Sequence, residues 1–281
     1  MSERAPFPSQ SLSARIELAE CNLLRSAVSA VRQRPGAKAF VDTLAGGVAT
    51  YAGPQSPLNK LAGLGFAGSV TSEDMDRIEA RFAAVKAPMQ VELSSLANPQ
   101  VGDFLTQRGY RLVAVENVLG RSLSSADAAT SHVSSGIAVR HAEHIESWIS
   151  TLVDGFATPD SANVPAHDDF PRDVIEQVLR DMAGASGFIR YAATLNDEMA
   201  GAASMRLDGE VAQLSGSATR PSFRRRGVQS ALLTIRLAEA ARQGCKVAVV
   251  TTQPGSTSHS NVHRAGFELL YVRAILRREK A

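Results

Sequence analysis

Little in this chain points to a metal, a disulfide framework or a membrane. It has two cysteines, Cys21 and Cys245, far apart and in no CxxC or Cys/His spacing. That excludes a disulfide scaffold and the common zinc patterns, so no metal is expected, and it fits a reducing compartment. No uninterrupted apolar run approaches the ~20 residues of a membrane helix. The opening stretch MSERAPFPSQ has no apolar core of a secretory leader, so the expectation is a cytoplasmic protein with no membrane partner. The formal net charge is only +2, too small to argue for nucleic acid. The triphosphate loop GxxxxGK[ST] is missing.

What is present is the composition of a globular protein: 281 residues, 44% hydrophobic and 21% charged. The stretch SLSSADAATSHVSSG, Ser122 to Gly136, is small and polar and reads as a linker. It divides the chain into residues 1–123, a joining segment 124–135, and residues 136–281. In the second part GIAVRHA reads as a strand, and HIESWISTLVDGFA and RDVIEQVLRDMAG as helices. GFIRYAATLN, EMAGAASMRLD and EVAQLSGSA read as a meander of strands. VQSALLTIRLAEAARQG is a helix closed by Gly244, and CKVAVVTT is a strand buried on both faces. SNVHRAG and FELLYVRAILRR end the chain as a short helix and a strand. The first part opens with a helix up to Pro35-Gly36. Its helix SEDMDRIEARFAAVKA has a Ser N-cap, and its tail PQVGDFLTQRGYRLVAVENVLGRSL parallels HSNVHRAGFELLYVRAILRRE.

The stretch RPSFRRRGVQSALL carries the clearest chemistry. Three arginines and a glycine stand directly before an amphipathic helix. A helix N-terminus offers unpaired N–H groups and partial positive charge, and a preceding glycine lets a phosphate approach the backbone. The turn does not spell GxGxxG, which argues against a dinucleotide there. It does match R/Q-x-x-G-x-G/A through Arg224, Arg225, Arg226, Gly227, Val228 and Gln229, with Gln229 where Gly or Ala is usual. With ATRPSF before it and NVHRAGF, Asn261 to Phe267, after it, the chain resembles the GNAT acyltransferases over Gly136 to Glu279.

That resemblance implies an α/β (α+β) fold of two GNAT-like domains, each a mixed, mostly antiparallel twisted sheet flanked by helices. It implies transfer of an acetyl group from acetyl-CoA to a primary amine of a small molecule or protein. The cofactor residues would be Ala218, Thr219, Arg224, Arg225, Arg226, Gly227, Val228, Gln229, Ser230 and Asn261, with an amide of Ala218 or Thr219 polarising the thioester. The family's usual acid, a tyrosine, falls at Val262, which leaves Tyr271, Ser258 or Ser260, and His263 as substitutes, or solvent. The acceptor pocket would draw on Asp154, Phe156, Gln213 and the cluster His167, Asp168 and Asp169. The expected assembly is a monomer or homodimer.

The first half has no arginine turn: GLGFAGSVTSED puts acids at a helix start, where they would repel a pyrophosphate. It reads as a GNAT-like half without a cofactor loop. The missing tyrosine leaves a second reading open, a non-catalytic protein that senses acyl-CoA.

Overall fold

In the computed structural model, residues 6–130, 136–157 and 170–278 are described. In chain order the first half holds α1 (Gln10–Arg32), β1 (Phe40–Leu44), β2 (Gly47–Tyr51), β3 (Lys60–Ala62), α2 (Ser72–Ala84), β4 (Gln90–Ser94), α3 (Pro99–Gln107), β5 (Tyr110–Ser122) and α4 (Ser125–Ala129). The second half holds β6 (Ile137–His141), α5 (Ile145–Phe156), α6 (Arg172–Ala183), β7 (Phe188–Leu195), β8 (Glu198–Asp208), β9 (Val211–Thr219), a 3-10 turn (Pro221–Phe223), α7 (Val228–Arg242), β10 (Val247–Thr252), α8 (Thr257–Arg264) and β11 (Glu268–Arg278).

The two expected sheets are joined into one. Its eleven strands run β1-β2-β3-β4-β11-β5-β10-β9-β8-β7-β6. β3 with β4, and β9 with β10, are parallel; the remaining neighbours are antiparallel. The last strand of each half crosses to the other. β5 lies against β10, and β11 lies against β4. β5 and β11 also pair with each other from Tyr110↔Arg278 to Gly120↔Glu268. The two similar sequence tails are therefore neighbours across a pseudo-twofold seam. Gly109 and Gly266, which follow α3 and α8, both have positive φ, at 84° and 82°.

Helices α1, α5 and α6 cover one face of the sheet, where Ile16, Leu24, Val178 and Trp148 are buried. Helices α2, α3, α7 and α8 cover the other, through Met75, Leu105, Leu232 and Val262. Each fully buried aliphatic side chain contributes ~1.5–3 kcal/mol, so α1, which spans the seam, binds the halves together. The two hairpin turns at Ala45-Gly46 and Asn196-Asp197 hold both central residues at positive φ, the twist that suits adjoining antiparallel strands.

Two expectations are corrected. Part of the presumed linker is helical. Ser124 and Asp127 form a capping box that starts α4, and Arg242 of α7 donates to the carbonyls of Ala128 and Thr130. Helix α2 is capped by Thr71 rather than by Ser72, its side chain accepting from the Asp74 amide at 3.1 Å.

Candidate active site

β9 and β10 run side by side only from Val211↔Val247 to Leu214↔Val250. A bulge then interrupts β9. The β8 partners shift between Ser204↔Ser215 and Ala203↔Ser217, and Gly216 sits at φ 41°. Past this point β9 stays with β8 while β10 stays with β5, so the two parallel strands part. A buried arginine braces the bulge. Arg236 of α7 is 2% exposed and donates to the Ser204 carbonyl at 3.0 Å and to the Ser217 hydroxyl at 3.4 Å. Burial lowers its pKa to about 10. The helical spacing hides this residue, because it falls among the apolar positions of α7.

The alternation of β9 decides which amides face the gap. The Arg220 amide donates to the Ala200 carbonyl of β8 at 2.9 Å. With Ala202 opposite Ala218, antiparallel pairing directs the Ala218 amide to β8 as well. The amides of Ser217 and Thr219 point the other way, into the gap. Of the two thioester-polarising amides expected from sequence, Thr219's faces the gap and Ala218's faces β8. Ser217 belongs beside it.

Side chains at the gap are also telling. Thr219 and Thr252, on the two diverging strands, carry buried hydroxyls without a hydrogen-bond partner among the described residues. Both face the α7–α8 side. Thr219 is paired with Gly201, where a Cβ would meet Val228 and Leu232 of α7. Thr252 follows Ala248 and Val250, which pack into the same core cluster. An unmade buried hydrogen bond costs ~1–3 kcal/mol, and a polar ligand threaded between the strands would satisfy it.

The arginine turn lies at the head of this gap. Arg225 has φ 59°, and Gly227 caps α7 at φ 84°. The first intrahelical bond runs from the Ala231 amide to the Gly227 carbonyl. The amides of Val228, Gln229 and Ser230 precede it and are free for an anion. Arg225, Arg226 and Ser230 are exposed. Arg224 donates to the Gly155 carbonyl of α5 at 3.3 Å, and the Arg226 guanidinium sits over the Phe223 ring. Gln229 needs no positive φ, and its side chain accepts from the Ser217 hydroxyl at 3.0 Å. It ties the helix start to the free edge of β9.

The remaining expected residues are distributed less neatly. The Tyr271 hydroxyl donates to Glu17 of α1 at 2.7 Å and is buried, and burial and Glu17 push its pKa well up. It is not placed to act as an acid. Gln213 lies on the α1 face, held between Arg206 and Glu20. Asp154 is paired with Arg172 of α6 at 3.1 Å. Phe156 is 39% exposed at the end of α5. Ser258, Ser260 and His263 are exposed on α8, and Asn261 accepts from Arg264. Val262 is buried in the core. His167, Asp168 and Asp169 lie outside the described residues.

The matching place in the first half is closed. After β3 the stretch GLGFAG, residues 63–68, has the GxGxxG spacing of a dinucleotide loop. Its glycines are filled by protein instead. A Cβ at Gly63 would meet the Cys21 sulfur at 2.3 Å, and one at Gly65 would meet Ala97 at 2.8 Å. The Gly65 carbonyl accepts from the Asn98 amide at 2.9 Å. Helix α2 then opens with Glu73 and Asp74 in its first turn.

Among the described residues no group of His, Cys, Asp and Glu could hold a metal ion, and no helix is long and apolar enough to cross a membrane. No curated protein sequence matches the chain. Residues 151–267 match the family model described as acetyltransferase (GNAT) family. Among solved structures, a GCN5-related N-acetyltransferase from Kribbella flavida is similar with TM-score 0.66 and 18% identity, covering 96% of each chain. A tandem GNAT protein from the clavulanic acid biosynthesis pathway aligns at TM-score 0.61 and 12% identity, over 99% of this chain and 98% of that one. A similar N-acetyltransferase from Sphaerobacter thermophilus gives 0.53 and 13%, over 98% and 95%. At these identities the structures speak for the fold, and the residues matched by the family model include the parted strands and the glycine turn of the second half. Residues 151–267 are thus similar to the acetyltransferase (GNAT) family, and the chain as a whole shares the fold of these acetyltransferase structures.

Proposed function

We propose that this protein transfers an acetyl group from acetyl-CoA to a primary amine by direct attack. The observation that carries the reading is the gap itself. Free edge amides of Ser217 and Thr219, two partnerless threonine hydroxyls and the amide-lined turn at Gly227 follow one another along a single path. A long ligand with a pyrophosphate at one end and amide groups along its arm fits such a path. In this reading the amides of Arg225 to Ser230 bind the pyrophosphate, and the exposed Arg225 and Arg226 add charge. The Thr219 edge pairs with the pantetheine arm as an added strand would. An amide beside the bulge polarises the thioester carbonyl.

The chemistry then asks little of side chains. A neutral amine held near the carbonyl attacks it, and the departing thiolate takes its proton from solvent or from the amine. With Val262 buried and Tyr271 bound to Glu17, solvent is the simplest proton source. Residues 1–123 serve as the half without a cofactor loop, joined through 124–135 to the acyl-CoA half at 136–281, in a chain that works in the cytoplasm as a monomer or homodimer. The same two facts about Val262 and Tyr271 favour a second reading, an acyl-CoA sensor without turnover.

Release of free thiol from acetyl-CoA in the presence of a panel of primary amines separates the two. The enzyme reading expects amine-dependent release, abolished by Gly227→Asp. Binding of acetyl-CoA without release from any amine would favour the sensor.

A further inference from the structure

We infer that the first half of the chain completes the acceptor site of the second, and that Glu116 of β5 is the group that receives the proton of the incoming ammonium. This rests on the acyl-CoA reading of the gap.

The register places Glu116. Asn117 is opposite Thr252, the last residue of β10. Glu116 therefore stands one step beyond the end of β10, where the edge of β5 is open. Counted along the parallel ladder from Leu214↔Val250, that level corresponds to Ser217 and Ala218 of β9, where the thioester would lie. Regular pairing would put β5 two strand spacings, ~9–10 Å, from β9, and the parting of β9 from β10 widens this into a gap with room for an amine. Glu116 is opposite Arg273, which bonds to Glu17 of α1, so its side chain is on the α1–α5 face. That is the face opposite α7 and α8, so an amine and the acyl donor would approach the carbonyl from opposite sides.

The surroundings suit an ammonium. Glu116 is partly open to solvent, and Thr251, on the same face of β10, is exposed. The groups facing Glu116 are Glu92 of β4 and Lys60 of β3, joined at 2.5 Å, Arg273 of β11, and Glu20 of α1. Glu17, next along α1, leaves its Oε2 atom buried and without a partner among the described residues. Lys60 is committed to Glu92 and Arg273 to Glu17, which leaves Glu116 without a close cation of its own among the described residues. Burial first, and then the charge of Glu92, raise its pKa to about 7. A carboxylate of that basicity accepts a proton near neutral pH and releases it again.

The Glu116 carboxylate takes one proton from the ammonium, freeing the nitrogen lone pair. The nitrogen bonds to the thioester carbon, the carbon–sulfur bond breaks, and the sulfur leaves with the pair. A second nitrogen proton passes to the thiolate through solvent, and the Glu116 carboxyl returns its proton to water. The products are the amide, free CoA thiol and one proton.

The test follows thiol release from acetyl-CoA between pH 5.5 and 9, with n-butylamine and 1,4-diaminobutane as probes. Acetyl-CoA binding is measured in parallel by calorimetry. The wild type should show a bend in kcat/KM for the amine near pH 7. Glu116→Gln should lose that bend and fall ~100–1,000-fold in kcat/KM, with acetyl-CoA binding unchanged. Glu116→Asp should recover part of the rate. A Gln variant that keeps the bend overturns the assignment. So does a wild type that binds acetyl-CoA and acylates neither probe. A wild type that fails to bind acetyl-CoA removes the acyl-CoA reading first, and this assignment with it.

Discussion

At the scale of single residues, two unsatisfied hydroxyls say more about the gap than its charged residues do. Thr219 and Thr252 each bury an Oγ1 with nothing to bond among the described residues, a cost the free protein carries. Thr219→Val removes that cost along with the donor. It should leave the melting temperature unchanged or slightly higher, and weaken acetyl-CoA binding about five- to tenfold, or ~1 kcal/mol. Binding and calorimetric melting on one preparation check both halves of this prediction. Glu116 gives a second case. Its folded pKa is raised from 4.5 to about 7, so between those values the folded chain holds a proton that the unfolded chain has given up. Stability from this group is present below about pH 4.5 and is lost as pH rises to about 7. Glu116→Gln should therefore stabilise the protein at pH 8, by no more than ~2 kcal/mol once partial exposure is allowed for. The gain should vanish toward pH 5. Denaturant curves at the two pH values measure it, and equal gains at both would mean the group is not perturbed.

At the scale of elements, the bulge in β9 and the start of α7 act as one device. Arg236 reaches the Ser204 carbonyl and Ser217, while Gln229 takes the Ser217 hydroxyl. Arg236→Met keeps most of the volume but removes the donor to the Ser204 carbonyl and to the Ser217 oxygen, leaving Ser217 only its bond to Gln229. It should cost ~1–3 kcal/mol and weaken acetyl-CoA binding as the bulge relaxes, read by melting and by calorimetry. A stable variant with full binding would show that the bulge holds itself. Much of this device was legible in sequence. The Arg224 to Gln229 spacing marked the turn, and the meander and the helix after it fell where the structure has them. Arg236 and Gln213 were not legible as they stand, because a helical or alternating pattern reports which way a side chain points and not what it meets. The capping box of α4 was hidden by the same polar, small residues that make Ser122 to Gly136 look unstructured. Glu116 carried no local signal at all. Its meaning comes from a strand that pairs with the other half.

At the scale of the whole molecule, the exchange of β5 and β11 makes the halves interdependent. Each supplies a strand to the other's edge, and α1 covers the seam with Leu12 and Ile16 against Val118, Val247 and Tyr271. The likeness of the two tails in sequence announced a repeat, but not that the repeats trade strands. That follows from long-range pairing, which periodicity does not encode. The chain should unfold in one transition, with fluorescence and circular dichroism coincident. Two separated transitions would mean that the halves are thermodynamically independent and that the seam is weak.

The central claim is that the turn at Gly227 and the parted strands form an acyl-CoA cradle. The most direct measurement is calorimetric titration of acetyl-CoA into the wild type and into Gly227→Asp. The wild type should bind saturably and the variant not at all. A side chain at φ 84° is strained there, and its carboxylate would face the pyrophosphate. Equal binding by both proteins, or no binding by the wild type at millimolar acetyl-CoA, would contradict it.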